Sequence, residues 1–201
     1  MHTSGKRLAL LSATAVLLAG GGWMWLQEAS AAINVPAPGT IQKCTGSRSH
    51  IISVNNGPLV SANTLGAIKA EVGETTTLSD GRQSTQLTVI DTFTEGTVQG
   101  VGDLVITLDK SKPSLASSLT SNQRDRQFPA TQTMRFYPEF ILNGESFVSD
   151  APVQVVNSNV DSFPPARGTV YVLTNSMVLK SKAGNSITLQ PGKAFSITGS
   201  S

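Results

Sequence analysis

Apolar and polar residues alternate along most of this chain in short runs, and Gly, Pro, Asn and Asp cut the runs apart. That period of two is the mark of strands with one buried face. "HIISV" (50–54) ends at Asn55-Asn56-Gly57, where positive φ is cheap, and "PLVS" takes up the pattern again. In "STQLTVIDTF" (84–93), Leu87, Val89, Asp91 and Phe93 fall on one face, and Gln86, Thr88, Ile90 and Thr92 on the other. Each set has one member out of character, so a strand is predicted there and its faces are not. "GDLVITLD" (102–109) places Leu104, Ile106 and Leu108 together. "SITLQPGKAFSIT" (186–198) reads as a hairpin turning at Pro191-Gly192.

Helical spacing is thin. "ANTLGAIKAEVGE" (62–74) sets Leu65, Ile68 and Val72 at helical intervals behind an Asn63 or Thr64 cap, but Gly66 weakens it by about 1 kcal/mol. "PSLASSLTSNQR" (113–124) opens on Pro and is Ser-rich, a second short helix or a long loop. The prediction is an all-β fold, an antiparallel sandwich or barrel of short strands with at most one or two short helices.

Two stretches resemble each other, "RQFPATQTMRFY" (126–137) and "DSFPPARGTVYV" (161–172), with their Phe-Pro pairs beginning at Phe128 and Phe163. Proline has no N–H for a β ladder and favours extended geometry before it, so both pairs suit strand entrances. The same stretches carry Arg126, Arg135 and Arg167. If both entrances open at one end of the sheet, these guanidiniums converge on a carboxylate or another anion, and they are the candidate ligand-binding residues. The plainer expectation is surface arginines paired with Asp125 or Asp161.

The N-terminus breaks the β pattern. Lys6 and Arg7 precede an apolar run from Leu8 to Leu26, and Ala29-Ser30-Ala31 fits the small-x-small site of signal peptidase. An exported protein, periplasmic or extracellular, cleaved before Ala32, is therefore expected. The run is nearly long enough to span a bilayer, so a retained membrane anchor is the alternative. The division that follows is a signal peptide over 1–31, an extended Pro-rich linker over 32–43 and a single β domain over 44–201. The exported part holds 13 basic and 12 acidic residues. Without a basic field, no nucleic acid is expected as a partner, and a membrane only if the leader stays.

Catalytic and metal chemistry finds few residues. Cys44 is the only cysteine in the 201 residues, so no internal disulfide exists, and His50 is the only histidine after the leader. Those two cannot complete a zinc site, and no motif calls for a cofactor. "NSNVDS" offers Asn157, Asn159 and Asp161 at alternate positions but has Ser162 where a calcium loop turns on Gly. Asp91 with Glu95, or Asp103 with Asp109, are the carboxylate pairs available to a glycosidase-like reaction. Both tryptophans, Trp23 and Trp25, lie in the leader, which leaves no large aromatic platform for a sugar. The functional expectation is an exported, non-catalytic binding or structural module that recruits a protein partner through edge strands or holds a polar ligand in its loops. A small exported hydrolase or lyase using carboxylates, or a membrane-anchored subunit, are the alternatives.

Overall fold

In a computed structural model, residues 35–201 are described. The expected leader, its expected cleavage site and the first residues of the expected linker lie outside them. The described residues contain 13 strands and no helix. In chain order these are β1 (Ile41–Val54), β2 (Leu59–Thr77), β3 (Gln83–Val98), β4 (Gly102–Leu108), β5 (Ala116–Ser121), β6 (Ala130–Phe136) and β7 (Pro138–Leu142). They continue with β8 (Glu145–Val148), β9 (Val153–Val160), β10 (Val170–Leu173), β11 (Met177–Ser181), β12 (Ser186–Leu189) and β13 (Gly192–Ser200). All pair antiparallel in one large sheet. The all-β expectation holds.

Three long strands organise the rest. β1 pairs with β2 along nearly its whole length, and β2 with β3. The outer edges of β1 and β3 are each divided between two partners. On β1, Cys44–Ser47 pair with β13 and Ile52–Val54 with β12. On β3, Ser84–Thr88 pair with β5 and Phe93–Val98 with β4. The ladder therefore closes on itself twice. One circuit runs β1-β2-β3-β4-β7-β8-β11-β12, the other β1-β2-β3-β5-β6-β9-β10-β13, and β1 to β3 form a wall common to both. Every strand has a neighbour on each side over at least part of its length.

This topology corrects the expected hairpin. β12 and β13 do not pair with each other; both lie along the same edge of β1, and Pro191-Gly192 is the offset at which the chain leaves one circuit for the other. A Pro-Gly pair fits an offset as well as a turn, since it removes one ladder donor and permits the positive φ seen at Gly192. The two helical segments are corrected as well. Residues 62–74 belong to β2 and the Ser-rich stretch contains β5. In β2 the inward series Ala62, Thr64, Gly66, Ile68, Ala70, Val72 has period two. The apolar residues Leu65, Ile68 and Val72 matched a helix by coincidence, because Leu65 points outward and is 65% exposed. β1 begins at Ile41, inside the stretch expected to be linker.

The irregular faces of β3 have a local cause. The β2–β3 register shifts between Lys69 and Ala70, where Asp91 and Val89 are the successive partners, so Ile90 is an extra residue. Leu87 and Val89 point inward before this bulge, Thr92 and Thr94 after it, and Phe93 faces out.

Two apolar clusters fill the interior. The larger spans both circuits, with Ile52, Leu104, Phe140, Phe147, Leu179 and Ile187 among its most buried members. The smaller gathers Val72, Leu87, Leu119, Ala130, Val160 and Phe163, with Phe128 packed against it. The two Phe-Pro stretches thus close one end of the core. Both Phe-Pro peptide bonds are cis. Pro129 stands directly before β6 as expected, whereas Phe163-Pro164 sits in the β9–β10 connection, several residues ahead of β10. In β10 the inward residue is Tyr171, not its flanking valines.

At two glycines of the common wall the strands approach too closely for side chains. A Cβ on Gly96 would stand 2.0 Å from the carbonyl oxygen of Asn63, and one on Gly66 2.1 Å from that of Phe93. Backbone cannot yield as a side chain can. Gly96→Ala should therefore cost at least ~3 kcal/mol in urea unfolding, whereas Gly73→Ala, whose nearest neighbour is the Gln86 side chain at 3.2 Å, should cost under about 1 kcal/mol.

Candidate functional site

The inward face of β1 reads Gln42, Cys44, Gly46, Arg48, His50, Ile52. Two titratable side chains therefore enter the interior at the level where the circuits meet. Arg48 is 5% exposed and His50 8%. The Arg48 guanidinium donates from Nη2 to Thr92 Oγ1 at 2.6 Å, and Thr92 in turn donates to the Ala67 carbonyl at 3.3 Å. It lies 5.3 Å from the centre of the Phe195 ring, within cation–π range. No carboxylate reaches it, because the ion pairs among the described residues join Lys69 to Asp91, Arg82 to Asp80 and Lys112 to Asp150. Its Nε has no hydrogen-bond partner.

The surroundings deepen that imbalance. Thr64 is the ladder partner of Arg48, and Thr94 lies on the next strand facing the same interior. Both hydroxyls are buried without a partner. A buried polar atom ordinarily finds a partner, and a buried charge ordinarily finds a counter-charge. Three unpaired polar atoms, one belonging to a cation, gather on one face of one wall, and the other such atom among the described residues is Asp109 Oδ2. A cavity of about 30 Å³ adjoins it, lined by Arg48, His50, Phe136, Phe140, Leu173 and Val153 among others. That is roughly the room of one water molecule.

Burial brings the Arg48 pKa down to about 10, still high enough to remain charged at neutral pH. His50 is pushed down to about 4 by burial and then by the Arg48 charge, so it is a neutral imidazole. Its ring packs against Phe140 at 6.3 Å between centroids. Below it in the second circuit, Tyr171 donates its hydroxyl to Gln132 Oε1 at 2.5 Å, and burial raises its pKa. Cys44 faces the same interior, where burial lifts its thiol to about 11. The thiolate that would make it reactive is thereby suppressed.

The residues singled out from sequence lie elsewhere. Arg126 is exposed on the β5–β6 connection, Arg135 exposed on the outward face of β6, and Arg167 exposed on the β9–β10 connection. Among the described residues no hydrogen bond or ion pair joins any two of them, or joins them to Asp125 or Asp161. The carboxylate pairs are not placed for hydrolysis. Asp103 and Asp109 flank the ends of β4, about 20 Å apart at 3.3 Å per residue, and Asp91 and Glu95 are about 13 Å apart along β3. Glycosidic chemistry needs roughly 5–9.5 Å. Asn157, Asn159 and Asp161 spend their side chains on one another and on the Val170 carbonyl, and no group of three metal-ligating His, Cys, Asp or Glu occurs among the described residues.

Arg48 was legible only as one more arginine in "SRSHIISV". The signal that would have found it is its spacing, since Arg48, His50 and Ile52 alternate along a single strand face with an apolar end.

A second space lies outside this cavity. The β9–β10 ladder ends at the pair Val155–Leu173, and the β8–β11 ladder resumes only at Val148–Lys180. Between them opens a cleft of about 510 Å³. Val153 and Leu173 line both the cleft and the inner cavity.

No protein-family model matches the sequence, and no curated protein matches it. The fold does have a solved counterpart. The chain is similar in structure to DynF from the dynemicin biosynthesis pathway of Micromonospora chersina, with a TM-score of 0.63 over 85% of this chain and 86% of that one, at 15% sequence identity. The similarity is one of fold.

The neutral, buried His50 has a consequence for acid stability. The unfolded chain binds a proton at this histidine near pH 6.5, while the folded chain resists it until about pH 4. Stability present above pH 6.5 is therefore lost as the pH falls toward 4, by about 3 kcal/mol. Urea midpoints measured from pH 7 to 4 should fall less steeply in His50→Phe than in the unaltered protein. Equal slopes would show that His50 does not stay neutral inside.

Proposed function

We propose that this chain is an exported β-rich binding module, built as two fused barrels, that holds the anionic group of a ligand in its interior at Arg48. The single observation that carries the reading is the buried guanidinium with no carboxylate and an unpaired Nε. An arginine kept for stability would have a counter-charge, since an isolated buried charge opposes folding. A guanidinium presents a fork of donors suited to carboxylate or phosphate oxygens, and Nε is one of its bidentate pair. The unpaired Thr64 and Thr94 hydroxyls add donors on the same face. The neutral His50 beside it contributes no competing charge.

Binding rather than turnover is favoured by what faces the guanidinium. Its neighbours are Thr92, Phe195 and an imidazole too weakly basic to take a proton at neutral pH. Export rests on the basic, apolar and small-x-small order of the leader. Protein recovered from its native host should have the mass of residues 32–201 and, lacking Trp23 and Trp25, no tryptophan emission. An intact leader would instead favour the anchored form.

The decisive substitution is Arg48→Met, which keeps the stem and deletes the charge. It should stabilise the ligand-free protein by roughly 1–3 kcal/mol. Acetate, added at constant ionic strength, should raise the melting temperature of the unaltered protein and leave that of Arg48→Met unchanged. A destabilised Arg48→Met protein, together with no acetate effect, would make Arg48 a structural residue and end this reading.

A further inference from the structure

The cavity beside Arg48 has the room of about one water molecule, so a carboxylate enters it only if lining side chains move aside, whereas the cleft outside it is of ligand size. Two aliphatic side chains are common to both linings. Val153 is 6% exposed and Leu173 4%, and each lines both spaces. Both sit where the ladder is broken. Leu173 is the last residue of β10, and Val153 the first of β9, still paired to Phe136 but lying beyond the final β9–β10 pair. Val153 makes no pair with β10, and Leu173 keeps its backbone pairs with Val155 and Gly192 whichever way its side chain turns.

The cleft lining is mixed, with an apolar set of Val148, Val153, Leu173, Met177 and Val178 beside polar residues that include Gln154 and Asn175. Met177 is buried in it, Val148 and Val178 are 37% and 47% exposed along its length, and Ala151 and Pro152 form part of its rim. Its charged side chains are Asp150, which pairs with Lys112, and Lys180. The apolar set gives an alkyl or alicyclic body a surface to lie against within the trough.

We infer that the ligand is a monocarboxylic acid with an apolar tail, its carboxylate passing between Val153 and Leu173 to reach Arg48 and its tail filling the cleft between the β8–β9 and β10–β11 connections. This rests on the reading of Arg48 as an anion site and adds the tail, its place and the route. The two are separable by experiment.

Binding of acetate, decanoate and methyl decanoate would be measured by calorimetry on the exported form of the unaltered protein, Arg48→Met and Val178→Glu. Decanoate should bind at least about 100-fold more tightly than acetate, because its tail adds buried methylenes. Methyl decanoate should be at least about 10-fold weaker than decanoate in the unaltered protein, a difference that disappears in Arg48→Met. Val178→Glu, an exposed change that leaves the fold intact, should weaken decanoate at least about 10-fold and leave acetate unaffected. If acetate acts through Arg48 and decanoate binds no better, the anion site stands and the tail site is wrong. Decanoate binding that is indifferent to both Arg48→Met and esterification would also overturn the inference. Failure of both acids would remove the anion site and this inference together.

Discussion

Backbone pairing along both edges of three long strands is the constraint from which the molecule follows. β1 and β3 are each long enough to serve two partners on their outer edges, and β2 holds them together between. Without disulfides, and without helices among the described residues, those ladders and the side chains they turn inward carry the fold. Closing the sheet twice satisfies donors and acceptors that an open sheet would leave on its edges. Within the common wall β2 and β3 come so close that Gly66 and Gly96 have backbone where a side chain would be. Arg48 projects into the interior from the same wall, opposite Thr64.

The placement of Arg48 joins fold to chemistry. A position on β1 between the two circuits is screened by side chains of both, from Ile106 and Phe140 on one side to Phe195 and Val155 on the other. The same enclosure that removes water also removes counter-ions, so the charge has its neighbours' hydroxyl and aromatic face and nothing of opposite sign. In a low dielectric, a carboxylate delivered there would be bound far more strongly than on the exposed Arg126, Arg135 or Arg167. Position on the fold, rather than residue type, separates the interior arginine from the three on the surface.

Much of the fold was legible because period two is a local property. The turn at Asn55-Asn56-Gly57, the inward set Leu104 and Ile106 and the Phe128-Pro129 start of β6 all followed from neighbours in sequence. The errors arose where a long-range partner decided the outcome. β2 carries Gly66 and alanines for close strand packing, and those small residues imitate a weak helix. Pro191-Gly192 has the chemistry of a turn, but β1 gives both flanking strands a common edge, so the chain continues rather than reverses. The interior site stayed hidden for a related reason. An arginine between Ser47 and Ser49 looks solvated until β2, β3 and β13 cover it.

The order in which the chain visits the two circuits has its own result. After the common wall it builds β4 in the first, β5 and β6 in the second, β7 and β8 in the first, and continues alternating to β13. Five crossings weave the halves so that neither is a contiguous piece of polypeptide. No cut in the sequence could release one as a free-standing protein, and neither could have been acquired as a ready-made cassette. Because β1 to β3 serve both circuits, loss of that wall opens the two together.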